Sequence, residues 1–140
     1  MWASTDPDLE KDITGSYEVS VSDNMDMVME TTRQLREFCN AHQLGAGKSF
    51  RICLAVEEIA GNIVEHGFTG KKGKHFIDLR LTLEKDGSGC LSLRDNGVKF
   101  NPLEYRNRDT QYGLAIIRGI SEKIDYHYVA SMNCLNVMIR

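Results

Sequence analysis

Long hydrophobic runs are missing from this chain of 140 residues. The longest uninterrupted apolar stretch, Ile52 to Val56, falls far short of the roughly 20 residues that a membrane-spanning helix needs. Membrane insertion is therefore not expected. The N-terminus, Met1 to Asp12, is acidic and lacks the basic-then-apolar order of a secretory signal. No internal repeat and no low-complexity tract occurs, which excludes solenoids and leaves one unit of ordinary domain size. The four cysteines, Cys39, Cys53, Cys90 and Cys134, contain no CxxC pair, so neither a zinc knuckle nor a thioredoxin-like site is written here. Three of them fall in apolar-patterned segments and read as buried free thiols, which suits a reducing, cytoplasmic setting.

Several catalytic signatures are absent as well. Gly45-Ala-Gly-Lys-Ser49 invites a P-loop reading, but GxxxxGK[ST] would require glycine where His42 stands. The segment reads instead as one helix ending and the next beginning. There is no GxSxG elbow, and the four histidines form no HExxH or other paired ligand spacing. Charge of one sign is also scarce outside the first thirty residues, which carry eight acidic side chains against one lysine. The mildly basic remainder suits a polyphosphate ligand or an acidic partner and is too weak for duplex nucleic acid.

What is present is periodicity. Residues 1–14 read as an acidic tail or linker remnant and 15–140 as the domain. Tyr17, Val19 and Val21 alternate with polar residues, predicting a strand. Asp23 or Asn24 caps a helix whose apolar positions run from Met25 to Phe38. Ser49 opens a second helix with Ile52, Val56, Ile59 and Ile63 on one stripe, ending at the glycine-rich, basic stretch from Gly67. Strands over Ile77–Leu83 and Leu91–Leu93 flank the turn signal Asp86-Gly-Ser-Gly89. Asn101-Pro-Leu-Glu104 has the form of a helix cap. An amphipathic helix from Tyr112 to Glu122 precedes two strands, Ile124–Ala130 and Leu135–Ile139, joined at Ser131-Met-Asn133. The order β-α-α-β-β-α-β-β, with two adjacent hairpins, predicts a two-layer α+β sandwich. Its sheet is mostly antiparallel and mixed, covered on one face by three helices.

Three motifs carry chemistry. Glu58, Asn62 and His66 recur at i, i+4 and i+8 and share one face of the second helix. A carboxylate there can orient an attacking hydroxyl, and a carboxamide oxygen can ligate Mg²⁺. Asp95 ends a buried-looking strand and is followed by Asn96-Gly97, placing an acceptor-only carboxylate at a sharp turn. Gly97 there lets a flat base approach the backbone. Gly113 opens a helix after the arginine-bearing stretch Arg106 to Gln111, where free amides attract anions.

In order, these residues resemble the GHKL ATP-binding superfamily and, within it, the anti-sigma factor serine/threonine protein kinases. Glu58-x-x-x-Asn62-x-x-x-His66-Gly67 is similar to that family's N box, and Asp95-Asn-Gly97-Val-Lys-Phe100-Asn-Pro102 to its DxGxxF(D/N)P box. Gly113-Leu-Ala-Ile-Ile with Asp125-Tyr126 is similar to its second glycine box and the strand after it. The resemblance spans residues 15–140 and implies the Bergerat α/β sandwich, with ATP and Mg²⁺ as cofactors. It implies Glu58 as catalytic base, Asn62 as Mg²⁺ ligand, Asp95 as the adenine-recognising carboxylate with Gly97 beside it, and Gly113 as a phosphate-contacting amide. Arg106 and Arg108 would meet phosphate oxygens from a lid. Implied partners are a small anti-anti-sigma (STAS-like) protein and a sigma factor held by sequestration, and a homodimer is an allowed assembly. Gln111 replaces a frequent family glycine, and a terminal Gly-Thr is missing, with Leu135-Asn-Val137 nearby instead. The alternative is a partner switch that holds ATP with little or no phosphoryl transfer. A detached sensor histidine kinase ATPase fits less well, because Lys99 stands where the DxGxG form has glycine.

Overall fold

The computed structural model describes the backbone of residues 13–104 and 111–140, and the side chains of all of these except 111–114. Strand β1 (Ile13–Val21) leads into helices α1 (Met25–Ala41) and α2 (Ala46–Asn62), the latter extended by a π-helical turn over Ile63–Gly67. Strands β2 (Ile77–Glu84) and β3 (Gly89–Asp95), helix α3 (Gln111–Ile120), and strands β4 (Ser121–Val129) and β5 (Met132–Ile139) complete the chain. The sheet order is β1-β2-β3-β5-β4, and all four pairings are antiparallel. The expected α+β sandwich is thus the observed architecture, although no parallel pair joins its sheet among the described residues.

Period-two alternation sets the layers. Ile77, Leu79, Leu81 and Leu83 of β2, Leu91 and Leu93 of β3, and Leu135, Val137 and Ile139 of β5 turn inward and are buried. They pack against Val28 and Leu35 of α1 and the predicted Ile52, Val56, Ile59 and Ile63 stripe of α2. The opposite sheet face carries polar side chains, among them the Arg94–Asp78 pair at 3.3 Å and the Ser92 hydroxyl, which donates to Asn136 Oδ1 at 2.6 Å. Cys39 and Cys53 are buried free thiols, whereas Cys90 and Cys134 are half-buried on this polar face. Their positions in the alternation, rather than the apolarity of their neighbours, decide this.

Local chemistry sets the element ends. The Asn24 side chain accepts the Asp26 amide at 2.8 Å and caps α1, as expected. Helix α2 begins at Ala46, earlier than the predicted Ser49, because Gly45 takes φ 85° and turns the chain directly into the helix. Lys48 of the rejected P-loop donates to the Gly87 carbonyl of the β2–β3 turn. That turn forms where Asp86-Gly-Ser-Gly89 predicted it, with the Ser88 amide donating to Asp86 Oδ1 at 2.9 Å. The β4–β5 turn lies at Ala130 and Ser131, both with positive φ (52° and 60°), and not at Ser131-Met-Asn133. Strand β5 consequently starts at Met132 and includes Asn133. At Asn101 the predicted cap forms an Asx turn, the Leu103 amide donating to Asn101 Oδ1 at 3.0 Å.

Candidate functional site

The second helix delivers its polar face at its C-terminal end. Asn62 is the last α-helical residue and only 5% exposed. Its Nδ2 donates to the Pro102 carbonyl at 3.1 Å, which turns Oδ1 the other way. The π-helical turn then widens the helix, so that His66 is no longer stacked squarely on Asn62 as uninterrupted α-helical spacing predicts. His66 is half-buried, its ring centroid 6.2 Å from that of Phe100. Gly67 is buried and its carbonyl accepts the Val98 amide at 2.8 Å, pinning the segment after β3 to the end of α2. Glu57 and Glu58 are both half-buried, but Glu57 faces α1, where Thr32 Oγ1 donates to it at 3.3 Å. Glu58 lies about 100° further round the helix and one turn before Asn62.

The second contributor is the turn after β3. Asp95 is 2% exposed. Its Oδ1 accepts the Gly97 amide at 2.9 Å and Asn133 Nδ2 at 3.0 Å. Among the described residues no hydrogen-bond donor reaches Oδ2. Burial pushes the Asp95 carboxyl above the ordinary aspartate range, while the bonds from Asn133 and Gly97 pull it the other way. Gly97 packs so closely on the backbone of Gly67 that a β-carbon there would lie 2.3 Å from the Gly67 oxygen. The glycine therefore serves a backbone-to-backbone approach in addition to any access it gives to a ligand. Asn96 ties the same turn to the β2 side, accepting the Phe76 amide at 2.9 Å and donating to the Lys74 carbonyl at 2.7 Å.

The chain that carries this arrangement, an α2 face joined through Gly67 and Pro102 to a carboxylate-bearing turn, matches a family in its sequence. The sequence profile described as histidine kinase-like ATPase domain covers residues 21–139. The chain belongs to this family. No curated protein matches it. Among solved structures, the RsbU and RsbW domains of Rv1364c from Mycobacterium tuberculosis superpose with a TM-score of 0.68 at 21% identity, covering 91% of this chain and 32% of that one. The SiaB–SiaC complex from Pseudomonas aeruginosa gives a TM-score of 0.67 at 15% identity, covering 94% and 92%. The histidine kinase domain of the Erythrobacter litoralis EL346 blue-light activated histidine kinase gives 0.52 at 16%, covering 65% and 43%. The chain thus spans about a third of the first of these and less than half of the third. At these identities the likeness is one of fold.

Membership in a histidine kinase-like ATPase family implies ATP as the ligand. Asn62 bonds to Pro102, Gly67 to Val98 and Gly97 to Asp95, so the end of α2 is tied to the 95–102 segment, and Glu58 lies on α2 one turn before Asn62. Gly113 falls in the first turn of α3, which packs against α2. Arg106 and Arg108 lie outside the described residues. The unengaged carboxylate oxygen of Asp95, a buried residue, fits the donor edge of a base. Asn62 Oδ1 is a hard oxygen of the kind Mg²⁺ prefers. Among the described residues no group of three or more His, Cys, Asp or Glu forms a metal cluster, so a cation at Asn62 would depend on phosphate oxygens for further ligands.

One residue of the site escaped the sequence analysis. Asn133 on β5 is 2% exposed and sits opposite Asp95 in the β3–β5 register. Its signal was there to read: Ile139, Val137 and Leu135 extend by period two to Asn133. Asn136, the asparagine noted in place of the missing Gly-Thr, points to the polar face of the sheet.

Proposed function

We propose that this chain is an ATP-dependent serine/threonine protein kinase of anti-sigma-factor type. It phosphorylates a small anti-anti-sigma (STAS-like) partner and regulates a sigma factor by sequestration. The observation that carries the reading is the buried Asp95 with one oxygen held by Gly97 and Asn133, in a DxGxxFNP segment bonded to the Asn62 end of α2. The fold shared with an RsbW-containing structure and with SiaB, solved in complex with SiaC, supports a chain that works on a partner protein.

In this reading Asp95 accepts the exocyclic amine of adenine, and Gly113 and the arginines Arg106 and Arg108 contact phosphate. Asn62 holds Mg²⁺, which when bound supplies charge neutralisation at the phosphates. Glu58 takes the proton of the partner's serine hydroxyl as that oxygen bonds to the γ-phosphorus and ADP leaves. Little covalent work falls to the protein, since phosphoryl transfer depends mainly on positioning and charge. Free thiols at all four cysteines suit a cytoplasmic setting, and no helix among the described residues is long and apolar enough to cross a membrane.

A second reading, an ATP-holding partner switch with little transfer, draws on Gln111 at the first residue of α3 in place of glycine. The test is incubation with ATP, Mg²⁺ and a recombinant STAS-like candidate, followed by mass spectrometry for phosphoserine. Phosphoserine that disappears with Glu58→Gln supports the kinase. ATP-dependent complex formation without phosphoserine selects the switch.

A further inference from the structure

Asn133 uses its whole hydrogen-bonding capacity. Its Nδ2 donates to Asp95 Oδ1 at 3.0 Å and to the Val98 carbonyl at 2.8 Å. Its Oδ1 accepts the Phe100 amide at 2.9 Å and the Tyr126 hydroxyl at 2.5 Å. An amide offers two donors and two acceptor sites, so the side chain is saturated. The network also fixes which way the amide faces, because the flipped form would set NH₂ against the Phe100 amide and oxygen against the Val98 carbonyl. One side chain on β5 therefore holds both the Asp95 carboxylate and the backbone of the 96–100 segment, across two strands and a loop.

We propose that Asn133 is a positioning residue that sets base selectivity. By occupying Asp95 Oδ1 together with the Gly97 amide, it leaves Oδ2 as the acceptor turned to the base and keeps the carboxylate ionised. The inference rests on the reading of Asp95 as the base-recognising group. An ionised carboxylate accepts the exocyclic amine of adenine and repels the oxygen that guanine presents in the same place. A protonated carboxyl can also donate, so it tolerates that oxygen. Selectivity therefore depends on what holds the proton off.

The surroundings make Asn133 the main lever. Besides the Gly97 amide, it makes the only hydrogen bond to the Asp95 carboxylate among the described residues, and it opposes the desolvation that favours the protonated form. The Asp95 charge is felt by the Tyr126 hydroxyl from β4 and by the Cys134 thiol from β5. Burial raises both above their ordinary values, so neither ionises between pH 5 and 8 to compete for control. Leucine at position 133 would remove the donor, and the Asp95 carboxyl would take up a proton at a higher pH than in the wild type.

The experiment measures ATP and GTP affinity by calorimetry from pH 5.5 to 8.5 for wild type, Asn133→Leu and Asn133→Ser. Thermal melting without nucleotide reports folding. Asn133→Leu is expected to lose about tenfold in ATP affinity at pH 8, the size of one hydrogen bond to a charged group. Its ATP-over-GTP preference should fall as pH drops through a range where wild type holds constant. Asn133→Ser, small enough to fold and still able to donate, should recover part of the preference. A general loosening of the site would lower both affinities at all pH values and leave the ratio flat, and that result overturns the proposal. So does an Asn133→Leu profile that copies wild type. Wild type that binds no nucleotide overturns the reading of Asp95 and this inference with it, and that outcome differs from the other two in the wild-type titration itself.

Discussion

The carbonyl oxygen of Gly67 lies 2.3 Å from the point where a β-carbon on Gly97 would stand. Both partners are backbone, so nothing flexible can yield. Gly97→Ala should therefore push the Asp95 turn away from the end of α2, at about 1–3 kcal/mol of stability. ATP affinity should fall with it, because the Val98 amide to Gly67 carbonyl bond runs through the same contact. Gly119→Ala is the control. It lies in α3 with nothing within 4 Å of its β-carbon position, and should stabilise the protein by about 0.5–1 kcal/mol. Urea titration of both variants checks the pair of signs.

Adjacent glutamates separate packing from chemistry. Glu57 accepts from Thr32 on α1 at 3.3 Å, and that hydroxyl already donates to the Met29 carbonyl at 2.8 Å, so little depends on the second bond. Glu57→Ala should keep phosphoryl transfer and change stability by no more than about 0.5 kcal/mol. Glu58→Gln should spare ATP affinity and lower kcat by about 10²–10⁴-fold, the span of a positioned general base. Single-turnover transfer to a phosphorylatable partner, with ATP binding measured in parallel, decides it. A dead Glu57→Ala beside an active Glu58→Gln would reverse the assignment.

The Asn62 amide has two functions that two substitutions can split. Its nitrogen holds the Pro102 carbonyl at 3.1 Å, and its oxygen is the one offered to a cation. Asn62→Asp keeps oxygen ligands but sets a carboxylate against a carbonyl, which should cost about 1–3 kcal/mol of stability while the Mg²⁺ dependence of ATP binding survives. Asn62→Ala should lose that dependence. Calorimetric titration of ATP with and without Mg²⁺ reads both, and an alanine variant that still responds to Mg²⁺ removes Asn62 as the ligand.

Local signals carried most of the fold. The Asp86-Gly-Ser-Gly89 turn, the Asn24 cap and the α2 stripe each depend on neighbours in sequence, and each formed where the residue pattern put it. Non-local choices were less legible. The β1 start at Ile13 depends on pairing with Glu84 across the sheet. The β4–β5 turn uses Ala130 and Ser131 at positive φ, a conformation more typical of glycine or asparagine, so no turn residue announced it. Misplacing that turn by about two residues kept Asn133 off the strand and out of the site. For Asp95, Asn62 and Gly97 the residue types were informative because carboxylate, amide and missing side chain each have a narrow range of uses.

Asp95 sets function against stability, and this can be measured without a partner protein. Its carboxyl is raised above the ordinary value by burial, so the folded state binds a proton more tightly than the unfolded chain does. Folding stability linked to this group is therefore present at low pH and lost as pH rises from the unfolded value through the folded one. At neutral pH the protein carries a buried carboxylate whose desolvation is only partly offset by the Gly97 and Asn133 bonds. An asparagine side chain at this position would retain an oxygen for both donors and present an uncharged amide where Oδ2 now stands. Asp95→Asn should accordingly raise the denaturation midpoint at pH 7, and the gain should shrink as pH approaches the ordinary aspartate range near 4. The same substitution replaces an acceptor with a donor at the base, so ATP affinity should fall at least about tenfold. Chemical denaturation from pH 4 to 8, paired with ATP calorimetry, tests both halves. A variant that binds ATP like wild type removes Asp95 from base recognition. One that loses binding but is also less stable at pH 7 would mean that the carboxylate is held for structure, because only a group retained for binding should destabilise the empty protein.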